Sequence, residues 1–340
     1  MKNINLLLPV LLLITSGCTP VNNNDDYEFT YETIIKEIPV NLEPLNTIYD
    51  DYNSDLPYPA ARSGISFSTN RNTSGGTFDI IFRNIDISYH KKDEVLNFSF
   101  PDNDGTTKYQ TAISSLITNE ASELGPLTLG RSLGWDYFFY STDEGGDFDI
   151  RFVYTPWDDW GTYQAKERLY GPVSAVALNS DSDDIYPAFN SDQSKLYFCS
   201  NRTSGQFDIF SFTLDPGVPV KDLLTVAGTG EISRDNMLSS SGNDKCPSIT
   251  NNLLVFASDR EGGFGGFDLY YSLRVNGEWT SPVNFGIKIN SEFNEYRPIA
   301  FSFQAFDLMI FSSDRPEGKG GYDLYSVIID DLIDNWLQNN

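Results

Sequence analysis

The sequence contains a single histidine, His90, and three cysteines among its 340 residues. One histidine excludes a histidine-based catalytic triad and a metal site built from several imidazoles. Basic residues are also scarce, since 23 lysines and arginines stand against 48 acidic residues and give a net charge of −25. Nucleic acid binds clusters of lysine and arginine, so it is excluded as a partner.

Long apolar runs are missing too, except at the start of the chain. Residues 1–17 combine Lys2, a short apolar stretch and small residues directly before Cys18. The stretch is shorter than the roughly 20 residues that cross a bilayer, so it predicts an export signal and not a membrane helix.

Small residues followed by cysteine resemble the lipobox of bacterial lipoproteins, which implies that Cys18 carries lipid. The alternative is an ordinary secretory signal with an incidental cysteine. Residues 18–28 are polar and suit a flexible tether, and Asp25-Asp26 resembles signals of some Bacteroidetes lipoproteins. We therefore expect an outer-membrane protein, on the periplasmic or the cell-surface face, whose only membrane contact is the lipid anchor.

Cys199 and Cys246 remain in an exported chain, where a disulfide is permitted. They align with different strands of neighbouring repeats, and sequence alone does not bring their Cβ atoms together. We expect two buried free thiols, with a disulfide as the alternative.

One phrase recurs five times along the chain: an apolar run, a polar or glycine-rich turn, an aromatic residue, aspartate, and then isoleucine or leucine. Such a phrase predicts a β-hairpin. The copies lie at residues 65–82, 138–152, 196–211, 253–272 and 310–326.

The spacing of these hairpins sets the fold class. Their aspartates are separated by 70, 59, 60 and 55 residues, and units of that length with glycine and aromatic punctuation are typical of propeller blades. We predict an all-β, five-bladed β-propeller of four-stranded antiparallel blades over residues 29–329, with a tail at 330–340. The run Phe29 to Val40 is predicted to cross over and close the last blade, because a sixth blade would need more residues.

The hairpins SDREGGFGGFDLYYS (258–272) and SDRPEGKGGYDLYS (313–326), with NGEWTSPVNFG (276–286), resemble the PD40 or TolB-type, WD40-like propeller repeat. They are similar to propeller segments of Bacteroidetes outer-membrane lipoproteins that often carry an OmpA-like domain, which this chain lacks. The resemblance implies a lipoprotein of the cell envelope that serves as an interaction platform.

The aspartate after each turn has two interpretations. It accepts hydrogen bonds from turn amides or pairs with the turn arginine, or it contributes to a calcium site. Recurrence favours the structural role, since a ligand site would break the symmetry, and no metal site is predicted. The aspartates are Asp79, Asp149, Asp208, Asp268 and Asp323.

The clearest asymmetry is the segment 155–171 of blade 2. Aromatic rings beside carboxylates suit a sugar or a basic peptide, and Trp157 has no counterpart in the other repeats. The plain alternative is an acidic hairpin tip. The predicted binding residues are Trp157, Asp158, Asp159 and Tyr163.

No nucleophile with a base, no cofactor loop and no catalytic residue is recognised in these motifs. The sequence therefore predicts a non-enzymatic platform that binds envelope proteins, or glycan, without a cofactor. The alternative is a carbohydrate-active enzyme, because five-bladed propellers carry paired carboxylates near the central channel.

If Cys18 carries the only anchor, Cys18→Ser will leave the protein in the soluble fraction of the cell envelope. The measurement is fractionation after a high-salt wash, with the unsubstituted chain as control. A variant that still pellets with membranes contradicts the expectation.

Overall fold

The structure is a computed structural model that describes residues 32–34, 38–57, 59, 62–90, 95–101, 107–157, 168–304 and 306–330. Its strands form five antiparallel sheets, and the inner strands contact one another in a closed ring. The predicted all-β, five-bladed propeller is confirmed. Within the described residues, no helix has the length and apolar character needed to cross a membrane.

Each blade has its strands ordered from the propeller axis outward. Blade 1 contains β3 (Asp51–Asp55), β4 (Arg62–Thr69), β5 (Asp79–His90), β6 (Val95–Ser99) and β1 (Glu32–Ile34). Blade 2 contains β7 (Glu123–Ser132), β8 (Trp135–Thr142), β9 (Asp149–Pro156) and β10 (Tyr170–Ser174). Blade 3 contains β11 (Asp184–Phe189), β12 (Lys195–Ser200), β13 (Asp208–Thr213) and β14 (Ile232–Arg234). Blade 4 contains β15 (Asp244–Thr250), β16 (Leu253–Ser258), β17 (Asp268–Val275), β18 (Glu278–Trp279) and β19 (Val283–Asn284). Blade 5 contains β20 (Glu295–Phe303), β21 (Phe306–Ser313), β22 (Asp323–Ile328) and β2 (Val40–Asn41).

The N-terminal segment joins the first and last blades, but not as one strand. Of its described residues, those of β2 pair with β22 and close blade 5, while those of β1 pair with β6 and widen blade 1. The predicted closure is correct, and its extent over Phe29 to Val40 is wrong. Asn41 explains the position of β2, because its side chain donates to Asp323 at 2.9 Å, as Asn284 donates to Asp268 at 2.7 Å.

Among the described residues, short helical segments between the strands include α1 (Lys108–Ile117), α2 (Val220–Leu224) and a 3-10 turn at Arg71–Thr73. The repeated hairpin pattern of the sequence does not predict these helical segments. Helix α1 begins at a capping box, in which Thr107 and Gln110 exchange backbone and side-chain hydrogen bonds.

In blades 2 to 5, the second strand from the axis contains four consecutive buried apolar residues, because each blade packs against two neighbours. In β16, the stretch Leu254 to Ala257 is fully buried on both faces. A strand buried on both faces reads as a continuous apolar run rather than an alternating one. The core therefore lies between the blades, all around the axis.

The repeated aromatic residue explains how one blade meets the next. Its backbone carbonyl accepts a 2.7 Å hydrogen bond from the first amide of the following inner strand, in all five junctions. The five donor and acceptor pairs are Asp51 to Tyr322, Glu123 to Phe78, Asp184 to Phe148, Asp244 to Phe207, and Glu295 to Phe267.

The turn arginine pairs with the acid that starts the inner strand, and not with the aspartate after the turn. Arg260 donates to Asp244 at 2.5 Å and to the Leu238 carbonyl at 2.7 Å, and its guanidinium lies over the Phe256 and Tyr270 rings. The same ion pair joins Arg71 to Asp51, Arg202 to Asp184 and Arg315 to Glu295.

The aspartate after the turn accepts hydrogen bonds from different partners in different blades. Asp268 accepts the Phe264 and Gly265 amides at 2.8 and 3.1 Å, and Asp323 accepts two turn amides in the same way. Asp208 instead pairs with Arg234 of the outer strand. Within the described residues, no group of three or more His, Cys, Asp or Glu side chains is arranged to hold a metal ion.

Two polar regions form parts of blades. His90 is the last residue of β5. Within the polar stretch 228–245, Ile232–Arg234 forms the outer strand of blade 3.

Replacing Asp268 by alanine leaves turn amides and the Asn284 side chain without their acceptor, so we expect the free energy of unfolding to fall by roughly 1–3 kcal/mol. The matched control is Asp149→Ala, at the same place in blade 2, where the carboxyl is only half-buried and the change should stay within about 0.5 kcal/mol. Chemical denaturation measures both. Equal losses would mean that the turn bonds do not hold the hairpin.

Candidate active site

Each inner strand bends toward the propeller axis at its third residue. That residue has a positive φ between 46° and 61°, and the pairing register shifts directly after it. An extra residue at this point makes a β-bulge, which re-aims a side chain. The five bulge residues are Asn53, Gly125, Tyr186, Cys246 and Arg297.

Side chains of these bulge residues fill the middle of the central channel. Tyr186 accepts from the Asn53 side chain at 3.2 Å, and the Arg297 guanidinium lies 5.1 Å from the Tyr186 ring centre. A Cβ on Gly125 would lie 2.4 Å from the same ring, so only glycine leaves room for it. The channel is therefore divided into an entry end, where the inner strands begin, and an exit end, where they finish.

We call the bulge side chains that fill the channel the channel plug. Cys246 is one of them, and Cys199 of β12 contacts it. Cys199 and Cys246 are free and buried, as predicted, and the Cys246 amide donates to the Cys199 sulfur at 3.1 Å. Burial raises the pKa of the Cys246 thiol to about 11. Both thiols are therefore protonated and unreactive at neutral pH.

The exit end carries one carboxyl that breaks the fivefold pattern. Asp55 lies two residues after the bulge and is 6% exposed. Its carboxyl accepts the Thr128 amide at 2.9 Å. Burial raises the pKa of Asp55 to about 6, against the opposing effects of the Thr128 amide and Arg297. The other four inner strands place Leu127, Ala188, Ser248 and Ile299 at this position.

Two adjoining cavities open at the exit end, and Pro57 and Thr128 line both of them. The first, of about 380 Å³, lies over the channel and contains Asp55 and Arg297. Its polar lining consists of amide and hydroxyl side chains, including Asn190, Gln193, Ser248, Thr250 and Ser302.

The second cavity, of about 570 Å³, lies between blades 1 and 2. Asp136 and Trp157 line it, and the Arg131 guanidinium lies 5.0 Å from the Trp157 ring centre. The Asp136 carboxyl accepts the Arg131 amide at 2.8 Å, which fixes its direction.

The binding residues predicted from the sequence meet this site at one point. Trp157 forms part of its wall, whereas Asp158, Asp159 and Tyr163 lie outside the described residues. Asp55 and Asp136 were missed. The signal for Asp55 was present, because an acid stands where the other inner strands carry no charge.

No family model matches the chain, and no curated protein matches it. Several solved five-bladed propellers do. The endo-arabinase from Bacteroides thetaiotaomicron VPI-5482 has a TM-score of 0.51 and 11% identity, covering 86% of this chain and 98% of that one. An exo-1,5-α-L-arabinanase from a bovine ruminal metagenomic library has a TM-score of 0.47 and 9% identity over 84% and 98%. Zg3597, a family 117 glycoside hydrolase from Zobellia galactanivorans, has a TM-score of 0.44 and 12% identity over 87% and 88%. At such identities the likeness shows the fold alone, a five-bladed β-propeller.

The expected PD40 or TolB-type membership is wrong, because the solved propellers that resemble the chain are glycoside hydrolases. The quoted hairpins explain the error. Arg260 holds one blade together and Asp268 holds its turn, so these residues recur because the blade geometry requires them.

The predicted absence of enzymatic activity, and with it the non-enzymatic platform, is overturned by the same comparisons. That interpretation depends on the hairpin motifs, which contain no recognisable catalytic residue. Asp55 and Asp136 lie outside them, at the opposite end of the inner strands from the glycine-rich turns.

Gly125→Ala should disrupt the channel plug, because the added methyl group overlaps the Tyr186 ring and the residue has a positive φ. Gly134→Ala is the control, since it shares the positive φ but meets nothing within 4 Å. We expect the first to lower the free energy of unfolding by about 1 kcal/mol or more beyond the second. Equal losses of stability in the two variants would show that the Tyr186 ring moves aside at no cost.

Proposed function

We propose that the chain is a glycoside hydrolase that cleaves an oligosaccharide at the exit end of the propeller. The observation that carries this proposal is Asp55, a buried carboxyl with a raised pKa at the mouth of the channel. With a pKa of about 6, such a group keeps its proton in mildly acidic solution, where an ordinary aspartate is ionised, and is suited to act as a general acid.

Asp55 would donate its proton to the oxygen of the scissile glycosidic bond. Burial keeps the carboxyl protonated up to about pH 6, and the Thr128 amide and Arg297 stabilise the carboxylate that remains. A direct ion pair with Arg297 would hold the Asp55 carboxyl ionised, whereas a nearby but unpaired Arg297 stabilises the carboxylate only after the proton has left.

Hydrolysis of a glycoside uses a second carboxyl as base or nucleophile. Asp55 is the carboxyl that lines the smaller cavity and Asp136 the one that lines the larger, and Thr128 lines both. We assign the second role to Asp136, which the Arg131 amide orients.

The remaining lining suits a carbohydrate. An indole ring stacks on the apolar face of a sugar, and amide and hydroxyl side chains match its hydroxyl groups. Trp157 supplies the ring in the larger cavity, and Asn190 and Gln193 supply amides in the smaller one. The endo-arabinase from Bacteroides thetaiotaomicron shows that a propeller of this shape accommodates an enzyme acting on a glycan.

The place of action follows from the first residues of the chain. We propose that the enzyme is held at the outer membrane through lipid on Cys18, which lies outside the described residues. A tethered hydrolase would meet its oligosaccharide in the cell envelope or at the cell surface.

The test is hydrolysis of a panel of plant and envelope glycans, including arabinan, by purified protein. Asp55→Asn and Asp136→Asn should each lower turnover by roughly 10²–10⁴-fold. The control is Asp192→Asn, a 61% exposed side chain near the same end of blade 3, which should leave turnover unchanged.

The pH dependence provides an independent check. Because the protonated form of Asp55 is required, kcat/KM should fall as pH rises through about 6. Binding of glycans without turnover, or turnover that survives Asp55→Asn, would contradict the proposal.

A further inference from the structure

Blade 2 departs from the other blades at the arginine that pairs with the inner-strand acid. Asp143 accepts the Ser122 amide at 2.8 Å, as Asp259 accepts the Asn243 amide, so the two turns are equivalent. The next residue is Arg260 in blade 4 but Glu144 in blade 2. The acid at the start of the blade 2 inner strand, Glu123, therefore has no arginine partner in its own turn.

Glu123 is fully buried, and neither of its carboxyl oxygens receives a hydrogen bond of normal geometry. Its counterpart Asp244 receives bonds from the Ser240 amide and hydroxyl, the Ser258 hydroxyl and Arg260.

The other hydroxyls of the arrangement are also altered in blade 2. Thr142 occupies the place of Ser258, and its buried hydroxyl oxygen has no partner. Asn119 replaces Ser240, and its side chain turns to the Ala121 amide instead.

The surroundings of Glu123 are acidic. Burial raises the pKa of Glu123 to about 8, nearby carboxyls add to the rise, and the Asn119 amide opposes it in part. Arg151 is bonded to Glu144 and occupies the position that Tyr270 has in blade 4. The charged and titratable groups around the site are Asp79, Asp143, Glu144, Tyr140 and Arg151.

We propose that Glu123 and Thr142 form a binding site for a guanidinium group that does not come from the turn of blade 2. Four blades of the same propeller show what this arrangement binds: a planar guanidinium that bridges the acid, the hydroxyl and a backbone carbonyl. Glu123 and Thr142 are paired across neighbouring strands, and a carboxylate beside a hydroxyl matches the fork of donors on a guanidinium.

A metal ion is a poorer occupant. The described residues contain no cluster of three or more His, Cys, Asp or Glu side chains arranged around a metal position. The site also lies at the entry end, opposite Asp55, so it stands independently of the proposed hydrolase.

The probe is methylguanidinium at millimolar concentration and constant ionic strength, with tetramethylammonium as a cation without donors. The melting temperature of the unsubstituted protein should rise and saturate with methylguanidinium only. Because binding requires the ionised carboxyl, the apparent affinity should increase as pH rises through about 8.

Two variants make the test specific. Glu144→Arg restores the arginine of the other blades, so it should raise the melting temperature by itself and abolish the response to methylguanidinium. Glu123→Gln removes the charge and should abolish the response too, which keeps the test decisive if Glu144→Arg does not fold. No response in the unsubstituted protein, or the same response in Glu123→Gln, would overturn the proposal.

The source of the guanidinium is distinguished by two further ligands. A short peptide with one arginine and the same peptide with citrulline have side chains of nearly the same shape, but the urea of citrulline is neutral and has an oxygen in place of one guanidinium NH₂ group. Tighter binding of the arginine peptide than of methylguanidinium assigns the site to an arginine side chain, and weaker binding assigns it to a small cation. Equal binding of the citrulline peptide would exclude a guanidinium site.

Discussion

The hydrogen bond between successive blades is the contact on which the ring depends. In each junction, the carbonyl of the aromatic residue before the turn aspartate accepts the first amide of the next inner strand at 2.7 Å. The residue directly before the third strand of one blade therefore also positions the inner strand of the next blade. The hydrogen bond uses only the backbone, so the aromatic character of this residue is explained by its ring, which packs against the buried core in all five copies.

The acid and arginine pairs reinforce these junctions, and their regularity makes exceptions informative. A buried carboxylate is costly without partners, and Asp51, Asp184, Asp244 and Glu295 each have an arginine. Structural contacts repeat because each blade needs the same support. A residue that departs from the repeat has to be explained by something other than the fold, and Asp55 and Glu123 are such residues.

Sequence predicted the five blades because local hairpin chemistry recurs with even spacing. The closure of the ring is also visible in the sequence, since Val40-Asn41 repeats Val283-Asn284. The predicted closing strand is too long, because it also includes the residues before Val40. The arginine pairing was missed, because Arg260 and Asp244 are separated by a strand and meet only across the sheet edge.

The candidate site could be predicted only in part. Trp157 stood out as an unmatched residue, whereas Asp136 looks like any other acid in a chain with 48 of them. Its role depends on the cavity between two blades, which no local pattern encodes. Asp55 was readable in principle, by aligning the inner strands and asking which of them carries a charge.

The most direct test is a crystal structure of the Asp55→Asn variant with an oligosaccharide that the unsubstituted protein cleaves. The account predicts sugar rings in the two exit-end cavities, one of them against Trp157, with a glycosidic oxygen about 3 Å from residue 55. Rings bound at the entry end, or at the exit end with no bond near residue 55 and Asp136, would contradict it.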